Sequence, residues 1–143
     1  MKRIPRTLVL AAAALALASC STMHGMMNSG EEVKLTGANE VPAVSTSASG
    51  EGTVTVNDDH TVSAHIKVTG MNPTAAHIHQ GAAGTNGKVI VPFTKSGDNE
   101  FSAPAGAKLT DEQYAAYKAG NLYVNVHSAA HPGGEIRAQL AGR

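Results

Sequence analysis

The stretches NLYVNVH at residues 121–127 and EIRAQL at residues 135–140 decide the fold of this chain. Within each stretch, apolar residues alternate with polar or aromatic residues, as in a β-strand that turns one face towards a core. The Pro-Gly-Gly sequence at residues 132–134 is typical of a turn. We therefore predict two strands joined by a loop, with His127 on the polar face at the end of the first strand.

The rest of the chain carries the signals of further short strands. Alternating β-branched residues at 50–56 and 61–68 flank a polar Asn-Asp-Asp-His segment, which is the expected pattern of a hairpin. Residues 110–113 read Thr-Asp-Glu-Gln, the form of a capping box, so one short helix is expected over 110–119. Strands at this spacing indicate an antiparallel β-sandwich. Other short strands are predicted at Val33 and Leu35, over residues 88–94 and over residues 100–103.

The stretch AHIHQG at residues 76–81 contains two candidate metal ligands. In an extended strand, Ile78 can point into the core while His77 and His79 stand together on the opposite face, roughly 7 Å apart along the strand. Two imidazoles in that position can hold one metal ion, or they can be solvated strand residues that bind nothing. His127, on the polar face of a second strand, favours the metal site because it can supply a third imidazole.

Four patterns in the chain carry a family resemblance: A-H-I-H-x-G, N-G-x-V, L-Y-V-N-V-H-S and P-G-G-E-I-R-x-Q-L. Together they resemble the CHRD domain, a module named from chordin and also found singly in bacterial secreted proteins. The resemblance covers about residues 33–140. It implies an all-β fold, an antiparallel Greek-key β-sandwich of the superoxide dismutase or immunoglobulin kind, here with one short helix.

The His-Ile-His strand also resembles the copper strand of copper-zinc superoxide dismutases. Those enzymes place two copper ligands two residues apart and another near the end of a later strand. The resemblance therefore implies that His77, His79 and His127 are copper ligands. The zinc loop with its aspartate and the paired cysteines of those enzymes have no counterpart in this sequence. The resemblance thus gives no support to a zinc site of their kind.

Two further histidines are candidates for a fourth ligand. His131 lies four residues after His127, in a loop that can fold over the site, and it is the favoured candidate. His65 is the second candidate, although strand alternation places it on a solvated face. Imidazole ligands suit copper, zinc, iron and nickel, so residue type alone does not name the metal. The dismutase resemblance favours copper, and zinc stays an alternative.

Arg137 shares a strand face with Glu135 and Gln139. An arginine near a copper ion could attract a small anion such as superoxide. The alternative role for Arg137 is a structural ion pair or a hydrogen bond to the backbone, which is the more usual one. Both roles are kept as predictions.

The first residues have the order of a bacterial lipoprotein signal. Basic residues come first, the apolar run at 8–18 is too short to span a bilayer, and Leu-Ala-Ser-Cys at 17–20 resembles a lipobox. We expect a signal peptide over 1–19, a lipid anchor at Cys20, a flexible tether over 20–31 and the CHRD domain over 32–143. With Ser21 after the cysteine, the resemblance to Gram-negative lipoproteins implies the outer membrane, facing the periplasm or the cell surface. The tether contains donors that suit Cu(I), namely Met23, His24, Met26 and Met27.

Charge and motifs narrow the classes of function. Residues 1–19 hold three of the 11 Lys and Arg and none of the 11 Asp and Glu, which leaves a mature formal charge of −3 and argues against a nucleic-acid surface. The chain has no Gly-x-Ser-x-Gly elbow, phosphate-binding loop or Cys-x-x-Cys motif. Three classes stay open: a copper-binding or copper-buffering lipoprotein, a copper-only superoxide dismutase, and a structural or protein-binding module without metal. The sequence indicates neither a protein partner nor an oligomeric state.

Overall fold

The structure is a computed structural model that describes residues 29–143. The predicted signal peptide, Cys20 and the Met and His residues of the tether lie outside the described residues. Within the described part of the chain, no helix is long and apolar enough to cross a membrane. The elements in chain order are β1 (Glu31–Thr36), a 3-10 turn (Gly37–Asn39), β2 (Ser49–Val56), β3 (Val62–Thr69), β4 (Pro73–Gln80), β5 (Lys88–Pro92), β6 (Thr94–Gly97), β7 (Glu100–Ser102), α1 (Asp111–Lys118), β8 (Leu122–Ser128) and β9 (Ile136–Gln139).

The strands form one antiparallel sheet of nine strands in the order β5-β4-β8-β9-β1-β2-β3-β7-β6. Strands β5 and β6 stand at opposite ends of this order, yet Phe93 alone separates them along the chain. The sheet must therefore curl until its two ends approach each other, and it is nearly closed. The predicted all-β fold with one short helix is confirmed. The single strand predicted over 88–94 is instead two strands, because the chain leaves one end of the sheet after Pro92 and joins the other end at Thr94.

The core lies inside the curled sheet and consists mainly of aliphatic side chains. Strand β3 shows how the sequence produces it, since its residues alternate strictly between buried and exposed. Fully burying one such valine, leucine or isoleucine side chain stabilises a fold by about 1.5–3 kcal/mol. The largest fully buried aliphatic side chains belong to Leu35, Val54, Val56, Ile66, Ile78, Leu122, Ile136 and Leu140.

The helix forms where the capping box predicted it. The Thr110 hydroxyl accepts a hydrogen bond from the Gln113 N–H at 3.2 Å, and the Gln113 side-chain oxygen accepts one from the Thr110 N–H at 2.9 Å. Gly120 follows the helix with a φ of 76°, a left-handed conformation that glycine adopts without strain. Both ends of α1 are therefore specified by local sequence.

The second face of β8 differs from the usual outer face of a sheet. Every residue of this strand is buried, including Tyr123, Asn125 and His127 on the face opposite the core. The loop at residues 81–87 covers this face: the Arg137 guanidinium donates to the carbonyl oxygens of Thr85 at 2.8 Å and Ala82 at 3.2 Å. The outer face of β8 is therefore a buried polar layer beneath the loop at 81–87. It is not a solvated sheet surface.

Candidate metal site

Two neighbouring strands bring three histidines together. His77 and His79 project from the same face of β4, and Ile78 between them is buried in the core. Strand β8 pairs with β4 so that His127 lies opposite Ala75, which makes it the diagonal neighbour of His77. The ring centroids are 4.7 Å apart for His77 and His127, 5.6 Å for His77 and His79, and 5.9 Å for His79 and His127.

One ring nitrogen from each histidine can act as a metal ligand. These three atoms all lie within 4.8 Å of one another, a separation that allows one ion to contact all of them. Two nitrogens bonded to one ion at about 2.0 to 2.1 Å lie at most about 4.2 Å apart, so the rings would have to move closer together on binding. Across residues 29–143 this is the single group of three or more His, Cys, Asp or Glu residues with such a spacing. The group contains no carboxylate and no thiolate.

Backbone carbonyls determine which ring nitrogens can act as ligands. His127 Nδ1 is 2.9 Å from the Pro132 carbonyl oxygen, and His79 Nδ1 is 3.0 Å from the Gly87 carbonyl oxygen. Because a carbonyl only accepts hydrogen bonds, each Nδ1 must carry the hydrogen and each neutral ring keeps its lone pair on Nε2. The Nε2 of His79 is buried and has no hydrogen-bond partner among the described residues. A buried acceptor without a partner is costly, and a metal ion would satisfy it.

The remaining contact within the site joins two of its members. His77 Nδ1 is 2.9 Å from His127 Nε2. Since the Pro132 carbonyl leaves His127 Nε2 as an acceptor, His77 Nδ1 is the donor in this hydrogen bond. A metal ion bound by both nitrogens would replace the hydrogen that His77 Nδ1 donates to His127 Nε2.

Burial favours the neutral, metal-binding form of His77 and His127. It is the largest cause that lowers the pKa of His77 to about 4, with smaller contributions from His127 and then His79. Burial also lowers the pKa of His127, although the Pro132 carbonyl opposes the shift. A metal ion competes with protons for these nitrogens, so neutral rings at neutral pH favour binding.

The lowered pKa of His77 predicts a pH dependence of stability in the metal-free protein. In the unfolded chain this imidazole takes up its proton near pH 6.5, but in the fold it does so only near pH 4. Between these values the unfolded state binds more protons, so the free energy of unfolding should fall as the pH falls from 6.5 to 4. Denaturant unfolding across this range should show a weaker fall for His77→Gln than for the parent. Equal slopes for the two proteins would contradict the assignment.

The structure does not add either candidate fourth ligand to the group. His131 lies in a turn whose backbone bonds join it to Ser128 in both directions, at 3.2 and 3.3 Å, and its imidazole acts electrostatically on Glu135. His65 is exposed on β3, with its Nδ1 3.3 Å from the Ser102 hydroxyl and its Nε2 4.0 Å from a Glu100 oxygen. The group of three described above does not include His131, and its role as a fourth ligand stays a prediction.

The contacts of Arg137 are those of the structural role, in which its guanidinium bonds to the backbone. Its side chain is 1% exposed. The guanidinium donates to the Ala82 and Thr85 carbonyls of the covering loop and to the Gln139 side-chain oxygen. Its Cζ atom also lies 3.4 Å from the centroid of the Tyr123 ring, a cation–π contact. Attraction of an anion by Arg137 stays a prediction tied to the enzymatic alternative.

Two residues that the sequence analysis did not single out shape the site. The Tyr123 ring stacks on the His79 imidazole with centroids 4.8 Å apart and an interplanar angle of 5°. Gly87 holds His79 through its carbonyl and donates its own N–H to the Tyr123 hydroxyl at 3.0 Å. Strand alternation already placed Tyr123 on the face of His127. No local sequence pattern indicated that Gly87 would lie close to His79 and Tyr123.

A nearly closed antiparallel sheet with a three-histidine cluster on the face away from its core defines an all-β domain with a candidate metal site. The model of the CHRD domain family matches residues 32–140, and the chain belongs to this family. Searches of curated proteins and of solved structures gave no match to the chain.

Proposed function

We propose that this CHRD protein is an extracytoplasmic lipoprotein that binds or buffers copper through His77, His79 and His127. The observation that carries the proposal is the buried His79 Nε2, which has no protein partner in the described region. His79 also belongs to a group of three histidines in which one ring nitrogen of each lies within 4.8 Å of the others. Backbone carbonyls hold His79 and His127 with a lone pair on Nε2, and His77 is hydrogen-bonded to His127, so binding needs only the loss of that one hydrogen bond.

Copper is the metal that these ligands favour most. Among divalent first-row ions, nitrogen sites bind copper more strongly than zinc, iron or nickel. A protein held outside the cytoplasm would also meet copper without the protection of cytosolic buffering. Zinc is the main competitor, because it accepts the same imidazole ligands.

A metal titration tests the proposal. The full chain, carrying Cys20→Ala to keep it free of lipid and thiol, is stripped of metal and titrated with copper and zinc in separate and competing experiments. We expect one tightly bound copper per chain, displaced by zinc only at large excess. A matched variant, His65→Ala, removes an exposed histidine outside the cluster and should bind copper like its parent. Stoichiometric binding of neither metal would leave the structural or protein-binding module as the function.

The lipid anchor is a separate part of the proposal. The order of basic residues, short apolar run and Leu-Ala-Ser-Cys supports acylation of Cys20 after cleavage. Cys20→Ala should shift the protein from the outer-membrane fraction to the soluble extracytoplasmic fraction. Ser21→Ala, next to the anchor, should leave the protein in the membrane. A Cys20→Ala protein that sediments with the membrane as firmly as its parent would contradict the anchor.

A copper-only superoxide dismutase is the second candidate function. Its support is the half-buried state of His77, which leaves one side of the cluster open for a small molecule. An enzyme needs such an open position and redox cycling, whereas a copper buffer needs only affinity. Copper-loaded protein should then consume superoxide faster than the same amount of free copper. A rate no higher than that of free copper would remove the enzyme and retain the binding role.

A further inference from the structure

We propose that Tyr123 is a positioning residue that determines which ring nitrogen of His79 faces the metal; the inference rests on the proposed metal site. Tyr123 acts on His79 directly through its ring and indirectly through Gly87. Its ring stacks against the imidazole, with centroids 4.8 Å apart and planes within 5° of parallel. Its hydroxyl accepts the Gly87 N–H at 3.0 Å, and the Gly87 carbonyl accepts the His79 Nδ1 hydrogen, also at 3.0 Å. The tyrosine therefore fixes both the plane of the imidazole and the carbonyl that selects its tautomer.

Tyr123 can act in this way because its own position is fixed. The side chain is buried, at 2% exposure. Strands β4 and β9 flank β8 on opposite sides, so His79 and Arg137 reach the Tyr123 ring from opposite sides. The Arg137 guanidinium lies 3.4 Å from the ring centroid and donates to two carbonyls of the loop at 81–87. The arginine thus holds the tyrosine ring and the loop that contains Gly87 in one arrangement.

The chemical consequence concerns a single proton. A free neutral imidazole exchanges between two tautomers, and only the nitrogen without hydrogen can bind a metal. The Gly87 carbonyl stabilises the Nδ1–H form of His79 and leaves the lone pair on Nε2, which is the buried atom without a partner. Without the Tyr123 hydroxyl, the N–H of the Asn86–Gly87 peptide loses its acceptor. Gly87 can then rotate about its own backbone torsions and shift the adjoining Gly87–Lys88 peptide, whose carbonyl holds His79. His79 is then no longer held in the metal-binding tautomer.

The test uses the metal-free, ¹⁵N-labelled full chain with Cys20→Ala. The tautomer of His79 can then be measured whether or not the protein binds copper. Nitrogen NMR of the parent should show His79 with hydrogen on Nδ1 and none on Nε2. In Tyr123→Phe, which keeps the ring, the two nitrogen shifts should move towards a mixture of tautomers. Copper affinity should fall about 10- to 100-fold in the same variant, the usual effect of losing a group that orients a ligand. Tyr117→Phe is the matched control, because Tyr117 is also 2% exposed and its hydroxyl donates to the Arg143 carbonyl at 2.8 Å.

Two results would overturn the inference. One is a metal-free parent with the His79 hydrogen on Nε2, a measurement that needs no variant and does not depend on how a variant folds. The other is a folded Tyr123→Phe protein whose His79 tautomer equals that of the parent, whatever its copper affinity. A parent with the expected tautomer that binds no metal would instead refute the proposed function and retain the role of Tyr123.

Discussion

Replacing both His77 and His79 with alanine should remove the stoichiometric copper binding that we propose for this protein. The double variant keeps only His127 of the cluster, and one imidazole cannot compete with solvent and buffer for the ion. The fold should persist because both side chains lie on the face away from the core, while Ile78 between them stays buried. Loss of the stack of His79 on Tyr123 should lower the free energy of unfolding by about 0.5–3 kcal/mol, the usual range for a destabilising substitution.

The measurement is copper content after dialysis, together with denaturant unfolding of the same samples. His60→Ala with His65→Ala is the matched control, because it also removes two histidines but neither belongs to the cluster. The control should retain one copper per chain. A folded His77→Ala, His79→Ala protein that retains one tightly bound copper would place the site elsewhere, with the Met and His residues of the tether as the first alternative.

Gly87→Ala should damage both the fold and the site. A β-carbon at this position would lie 1.6 Å from the Gln80 carbonyl oxygen, so the backbone of the loop must move. That movement would break the Gly87 bonds to His79 and to Tyr123, which hold the imidazole in its metal-binding form. We expect a loss of about 1–3 kcal/mol in the free energy of unfolding, typical of forced overpacking, and much weaker copper binding.

Gly133→Ala provides the matched control for this substitution. Gly133 lies in the loop between β8 and β9, and an added β-carbon would meet nothing within 4 Å. Its unfolding free energy and copper affinity should stay close to those of the parent. Equal behaviour of Gly87→Ala and Gly133→Ala would show that the close approach at Gly87 has no role in the site.

Strand alternation was enough to predict which side chains share a face. It placed Ile78 in the core with His77 and His79 opposite, and it placed Tyr123 on the face of His127. These predictions depend only on the period of an extended strand. The capping box predicted α1 equally well, because a helix start is also a local feature.

What covers a face could not be predicted in the same way. The loop at 81–87 lies over β8 because Arg137 and Tyr123, 36 or more residues away in sequence, bond to its backbone. Such contacts depend on the order of strands in the sheet, which no local pattern contains. For the same reason strand alternation predicts a polar face on β8, whereas the structure shows that this face is a buried polar layer. Closeness in sequence is also a poor guide to closeness in space. His131 lies only four residues after His127, yet it is not part of the three-histidine group.

We propose that one copper ion is bound by the imidazoles of His77, His79 and His127. The most direct measurement is the ligand shell of the copper-loaded full chain, read by X-ray absorption together with pulsed EPR of the oxidised form. The claim predicts three imidazole nitrogens at about 2.0 Å and no sulfur, with the imidazole signals lost in the His77→Ala, His79→Ala variant. A shell containing methionine sulfur, or an imidazole count unchanged in that variant, would contradict it.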